Sequence, residues 1–132
     1  MLQARLKDVP FFSSMSKKEL AAVAQQTDEL DFAPGKVLAR EGEFGQEFFV
    51  IGAGTAEVTR GGEPIGQLGP GDFFGEMALL EDERRTATVT ATSPMSVIVM
   101  TRSSFRALDR TMPKVHASVA KAIADRRAAA PT

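Results

Sequence analysis

Residues 74–92 read FGEMALLEDERRTATVTAT, a stretch that begins as a ligand-sized loop and ends as a strand. Gly75 carries no Cβ, so its backbone can turn tightly and come close to a bound group. The apolar run Met77-Ala78-Leu79-Leu80 can form one helical turn whose free N–H groups point at whatever lies before it. Arg85 offers a planar fork matched to two phosphate oxygens. Glu76 is acceptor-only when ionised, so it suits a sugar hydroxyl and repels a phosphate. These parts suit a pocket for one phosphate and one ribose of a small ligand. After Arg85 the chain alternates, with Ala87, Val89 and Ala91 on one face and Thr86, Thr88, Thr90 and Thr92 on the other. That period predicts a half-buried strand over 85–92.

The same texture extends outward over 28–100. Leu30 and Phe32 alternate with polar neighbours before Pro34-Gly35, and residues 37–40 follow, broken by Glu41-Gly42-Glu43. Residues 48–51 are a continuous apolar run closed by Gly52-Ala53-Gly54, and 55–60 alternates through Ala56 and Val58. Gly61-Gly62 is a two-residue hairpin signal. Residues 65–68 lead into Gly69-Pro70-Gly71-Asp72, and 95–100 is the last strand. Many short strands at regular spacing predict a barrel or jelly roll.

Helical signals flank this region. Ser16-Lys17-Lys18-Glu19 is a capping box, with Met15 placed to pack on Leu20 as a staple. The helix it starts runs to about Gln26 and buries Leu20, Val23 and Ala24; a shorter piece is predicted over 2–7, and Phe11-Phe12 anchors this end on the strands. Thr101 or Ser103 can cap a helix over 104–110. Pro113 then suits the first turn of another helix, made amphipathic by Val115, Val119 and Ile123. The expected layout is an N-terminal helical part over 1–27, strands over 28–100 and C-terminal helices over 101–127, in one domain.

Composition narrows the function. The 132 residues carry a formal net charge of -1 with no long basic run, so a DNA partner gains no electrostatic support. With no cysteine, thiolate catalysis and cysteine-ligated metals are excluded, and a reducing cytoplasmic setting fits. No apolar run approaches the ~20 residues of a membrane helix, and the first ten residues lack the apolar core of a secretory signal. A single histidine, His116, argues against a metal-dependent enzyme on a similar roll, and on its helix it reads as a surface or packing residue. Glu41, Glu43 and Glu47 around one turn, and Glu81-Asp82-Glu83 in another, read as solvated charge.

Residues 74–89 resemble the phosphate-binding cassette of the cyclic nucleotide-binding domain, whose pattern is F-G-E, a small apolar run, a short turn, then R-x-A-T-V. Phe74, Gly75, Glu76, Ala78, Leu79, Arg85, Ala87, Thr88 and Val89 occupy the patterned positions. Arg84 departs from it, since many members carry a proline there. The segment PGKVLAREGEFGQEFFVIGAGTAEV also looks like the front half of the family's roll. The resemblance covers nearly the whole chain and implies a mainly β fold, a β-roll of jelly-roll type (a double-stranded β-helix) with one N-terminal and two C-terminal helices.

It also implies a function: reversible binding of cAMP or cGMP by a sensor that performs no chemistry and needs no cofactor. By resemblance, Arg85 pairs with the exocyclic phosphate oxygens and Glu76 accepts the ribose 2′-OH. Gly75, Met77, Ala78 and Thr86 line the sugar and phosphate, and Val58 and Ile65 face the base. The Thr86 hydroxyl reaches the phosphate or a guanine amino group, or else Thr86 is a strand residue chosen for β propensity. The helix after Pro113 is expected to fold over the base as a lid, with Arg126 or Arg127 stacking on it or remaining solvated. In an empty site, Arg85 is alternatively an ion-pair partner of Glu81, Asp82 or Glu83. The chain reads as a stand-alone domain, ending before the recognition helix that a Crp-type regulator adds. A ligand-free interaction module is the remaining alternative, and the partner is an effector protein or a second copy of the chain.

Overall fold

Every residue of the run 48–51 is buried, and the strand that carries it sits between two apolar cores. The structure is a computed structural model that describes residues 15–75, 84–114, 116, 117, 120, 121 and 124. Helix α1 (Lys17–Gln25) precedes strands β1 (Asp28–Phe32), β2 (Val37–Ala39), β3 (Glu47–Ala53), β4 (Ala56–Arg60), β5 (Glu63–Leu68), β6 (Phe73–Phe74), β7 (Thr88–Ala91) and β8 (Met95–Thr101); helix α2 (Arg102–Thr111) follows. The strands form two four-stranded sheets, ordered β1-β8-β3-β6 and β2-β7-β4-β5. All their pairings are antiparallel. Non-neighbouring strands in sequence are neighbours in space, as in a jelly roll, and the expected mainly β roll with flanking helices is borne out.

Side chains along a strand alternate between faces, so an all-apolar strand needs an apolar partner on each side. From β3, Phe49 and Ile51 point between the sheets and meet Ala56, Val89, Ala91, Met95, Val97 and Val99. Phe48 and Val50 point the other way, joining Ile98 and Met100 of β8 beneath Leu20 and Val23 of α1 and Phe105 and Leu108 of α2. One face of the first sheet therefore builds the roll and the other holds the helices.

Local signals set the element ends. Ser16 caps α1 in a reciprocal box, its Oγ accepting from the Glu19 N–H while Glu19 accepts from the Ser16 N–H. Met15 packs against the core that contains Leu20. Thr101, still in β8, is the N-cap of α2, so that helix starts two residues before the predicted position. Arg60 pairs with Glu63 across Gly61-Gly62, whose φ values of 60° and 84° are those a tight hairpin demands. Helical backbone resumes at Pro113, where His116 stacks on Phe105 with ring centroids 4.1 Å apart. His116 is thus a packing residue. The predicted helix over 2–7, the Phe11-Phe12 anchor and the stripe Val115, Val119 and Ile123 lie outside the described residues.

The strand predicted over 85–92 is shorter, covering Thr88–Ala91. Residues 85–87 are taken out of the ladder because the backbone of Arg85 is engaged elsewhere.

Candidate functional site

The backbone of Arg85 binds the turn between β2 and β3. Its N–H donates to the Glu43 carbonyl at 2.8 Å, and its carbonyl accepts from the Gly42 N–H at 2.8 Å. One residue earlier, Arg84 bridges to Phe44 in antiparallel fashion. Successive residues of an extended chain point to opposite sides, and the two arginines separate accordingly. Arg84 lies on the outside, its Nη1 donating to the Gly42 carbonyl at 2.7 Å and its guanidinium 4.3 Å from the centre of the Phe44 ring. It pins the turn where a proline would have stiffened it. Phe44 is 64% exposed beneath this cation, a contact worth roughly 0.5–1 kcal/mol at an exposed site.

Arg85 turns inward and is half-buried. Its Nη2 donates to the Glu47 carbonyl, the first residue of β3, at 2.8 Å. The guanidinium is seated between two glycines: a Cβ built on Gly45 would fall on Nε, Cζ and Nη2, and one on Gly75 would fall on Nη1. Gly75 also has φ +79° and the Glu47 carbonyl 2.7 Å from any Cβ, so both its conformation and its surroundings require glycine. Such a seat fixes the plane of the guanidinium beside Gly75.

A second layer ties this region to the β4–β5 hairpin. Arg60 Nε donates to the Thr86 carbonyl at 3.0 Å, and the Glu41 carboxylate accepts from the Gly61 N–H at 2.8 Å. The Glu41 N–H donates to Thr88 Oγ1 at 3.0 Å. The acidic residues around the turn, read from sequence as solvated, are therefore partly structural: Glu41 binds through its carboxylate, and Glu43 and Glu47 through their carbonyls. Carbonyl roles leave no trace in residue type.

Of the predicted site residues, Gly75 and Arg85 are brought together and Thr86 is exposed beside them. Val58 is half-buried against the inter-sheet core. Ile65 is 50% exposed on the neighbouring strand, within a register shift that sets Val58 opposite Gly66 and Thr59 opposite Pro64. Glu76, Met77 and Ala78 lie outside the described residues, as do Glu81, Asp82, Glu83, Arg126 and Arg127. Sequence reasoning missed Gly45, Phe44 and the Glu47 carbonyl. Gly45 alone had a signal, as a second glycine spaced three residues from Gly42. Among the described residues no group of three or more His, Asp or Glu side chains could hold a metal ion, and no helix is long and apolar enough to cross a membrane.

A double-sheet roll with helices on one face defines the architectural class of this chain. The profile of the "Cyclic nucleotide-binding domain" family matches residues 29–111. The chain belongs to the cyclic nucleotide-binding domain family. It is 36% identical over 108 residues to the cAMP-dependent protein kinase regulatory subunit of Hypocrea atroviridis, covering 82% of this chain and 23% of that one. The regulatory domain of Toxoplasma gondii PKA, solved with cAMP, matches with a TM-score of 0.77 and 30% identity, over 95% of this chain and 49% of that one. A cyclic nucleotide-binding-like protein from Brucella abortus matches with a TM-score of 0.70 and 30% identity, over 81% and 96% of the two chains. The chain spans about a quarter of the length of the curated relatives it matches.

Proposed function

We propose that this chain binds a 3′,5′-cyclic nucleotide reversibly, as a sensor or regulatory module that catalyses no reaction. The observation that carries this reading is the half-buried Arg85 guanidinium held between Gly45 and Gly75, at the arginine position of the family's phosphate-binding motif. A single cation with a fixed fork suits a phosphodiester, which has one negative charge and two exocyclic oxygens. Glu76 accepts the ribose 2′-OH, and Gly75, Met77, Ala78 and Thr86 line the sugar and phosphate. Val58 and Ile65 present apolar surface to the base. Relatives named for cAMP make cAMP the first ligand to test, with cGMP second. The partner that receives the signal is an effector protein or a second copy of the chain, and the setting is cytoplasmic.

Calorimetry and thermal melting with cAMP, cGMP and AMP test the reading. A ligand at ~100 times its dissociation constant adds roughly 2.7 kcal/mol, which raises the melting temperature by about 10 °C in a domain of this size. AMP lacks the cyclic diester and carries more charge, so its effect is much smaller. Equal shifts from AMP and cAMP, or none from either cyclic nucleotide, remove the proposal.

A further inference from the structure

Resting on the reading of Arg85 as the phosphate partner, we propose that Gly45 is a positioning residue: its lack of a side chain sets where the Arg85 guanidinium stands. The two glycines of the turn between β2 and β3 are glycines for different reasons. Gly42 has φ +85° and nothing within 4 Å of a Cβ, so the backbone alone selects it. Gly45 lies outside the left-handed region, so no left-handed backbone demands glycine there. The three heavy atoms nearest a Cβ there are Nε, Cζ and Nη2 of Arg85. What excludes a side chain at Gly45 is therefore the guanidinium itself.

Gly75 closes the other side of the seat but cannot be tested cleanly, because its positive φ and the Glu47 carbonyl would disturb the backbone as well. At Gly45 the obstacle is the far end of a flexible side chain. An alanine there leaves the turn intact and moves the guanidinium off the Glu47 carbonyl. A fork that must meet two oxygens at once loses more from such a displacement than a point charge does. The fold loses the small net contribution of that hydrogen bond, and Gly→Ala outside the left-handed region offsets a similar amount by restricting the unfolded chain. Affinity should therefore fall while stability stays near its wild-type value.

The experiment compares the whole wild-type chain with Gly45→Ala by thermal melting, by cAMP calorimetry, and by the NMR signal of Arg85 Nε–H in the ligand-free protein. Arg85→Lys identifies that signal by removing it. The expected result is a melting temperature held near the wild-type value, a displaced Nε signal, and cAMP affinity weakened about tenfold or more. An unmoved Nε signal, or unchanged cAMP affinity, overturns the proposal. So does a melting temperature lowered by more than about 5 °C, which is over ~1 kcal/mol at this size and means the turn needs glycine for its own sake. A wild-type chain that binds no cyclic nucleotide overturns the phosphate reading of Arg85 itself, a result distinct from a binding wild type indifferent to Gly45→Ala.

Discussion

The Arg85 guanidinium donates to the main-chain carbonyl of Glu47 at 2.8 Å, so the site's cation is anchored to the strand shared by both cores. A main-chain acceptor neutralises no charge. The bond ties the direction of the guanidinium to the main chain of a buried strand.

Arg85→Lys separates direction from charge. Lysine keeps the cation but lacks the planar fork, so cyclic nucleotide affinity is expected to fall by ~1–3 kcal/mol. The ligand-free protein should lose about 1 kcal/mol, because one hydrogen bond to the Glu47 carbonyl is weakened. Calorimetry and urea denaturation measure the two effects, and wild-type affinity in the variant would remove Arg85 from the site.

Thr86→Ala tests base choice. The side chain is exposed beside Arg85, and the residue's carbonyl, not its hydroxyl, accepts from Arg60. Removing the hydroxyl therefore leaves that backbone contact in place. Binding of cGMP is expected to weaken by about 1 kcal/mol more than binding of cAMP. Parallel titrations decide it: an equal change in both means that the hydroxyl does not read the base.

Ser16→Ala tests the cap of α1. The box supplies two hydrogen bonds, at 2.9 and 3.1 Å, to N–H groups that the helix cannot satisfy. The expected loss is about 1 kcal/mol, or about 4 °C in melting temperature. A shift under ~1 °C would mean that α1 docks through Leu20 and Val23 regardless of its first turn.

Phe48→Ala empties the second core. The ring is 1% exposed, meets Phe73 edge-on at 5.6 Å and lies beneath both helices. A loss of ~3–5 kcal/mol is expected in denaturant unfolding, a large share of the ~5–15 kcal/mol available to a small protein. A loss below ~1.5 kcal/mol would show that α1 and α2 collapse into the space.

What the sequence disclosed follows from how each feature is encoded. Strand alternation, the Gly61-Gly62 hairpin and the Ser16 box are written in residue type, and they appear where expected. The run 48–51 showed that β3 was buried, but periodicity could not say that its two faces enter different cores. The strand predicted from Arg85 is cut back to Thr88 because main-chain bonds to Gly42 and Glu43 outweigh the alternating pattern. The Glu47 carbonyl was illegible for the same reason, since every residue has one. Gly45 becomes intelligible only when a residue forty positions away is placed against it.

The family match begins at Glu29, four residues after α1 ends, yet Leu20 and Val23 of that helix complete the cover over Phe48, Val50, Ile98 and Met100. The segment that the family profile matches is therefore smaller than the segment that shields its own apolar surface. A fragment excised at the boundary of the match would carry a greasy sheet face into water, where it would seek another molecule's helix or another copy of itself.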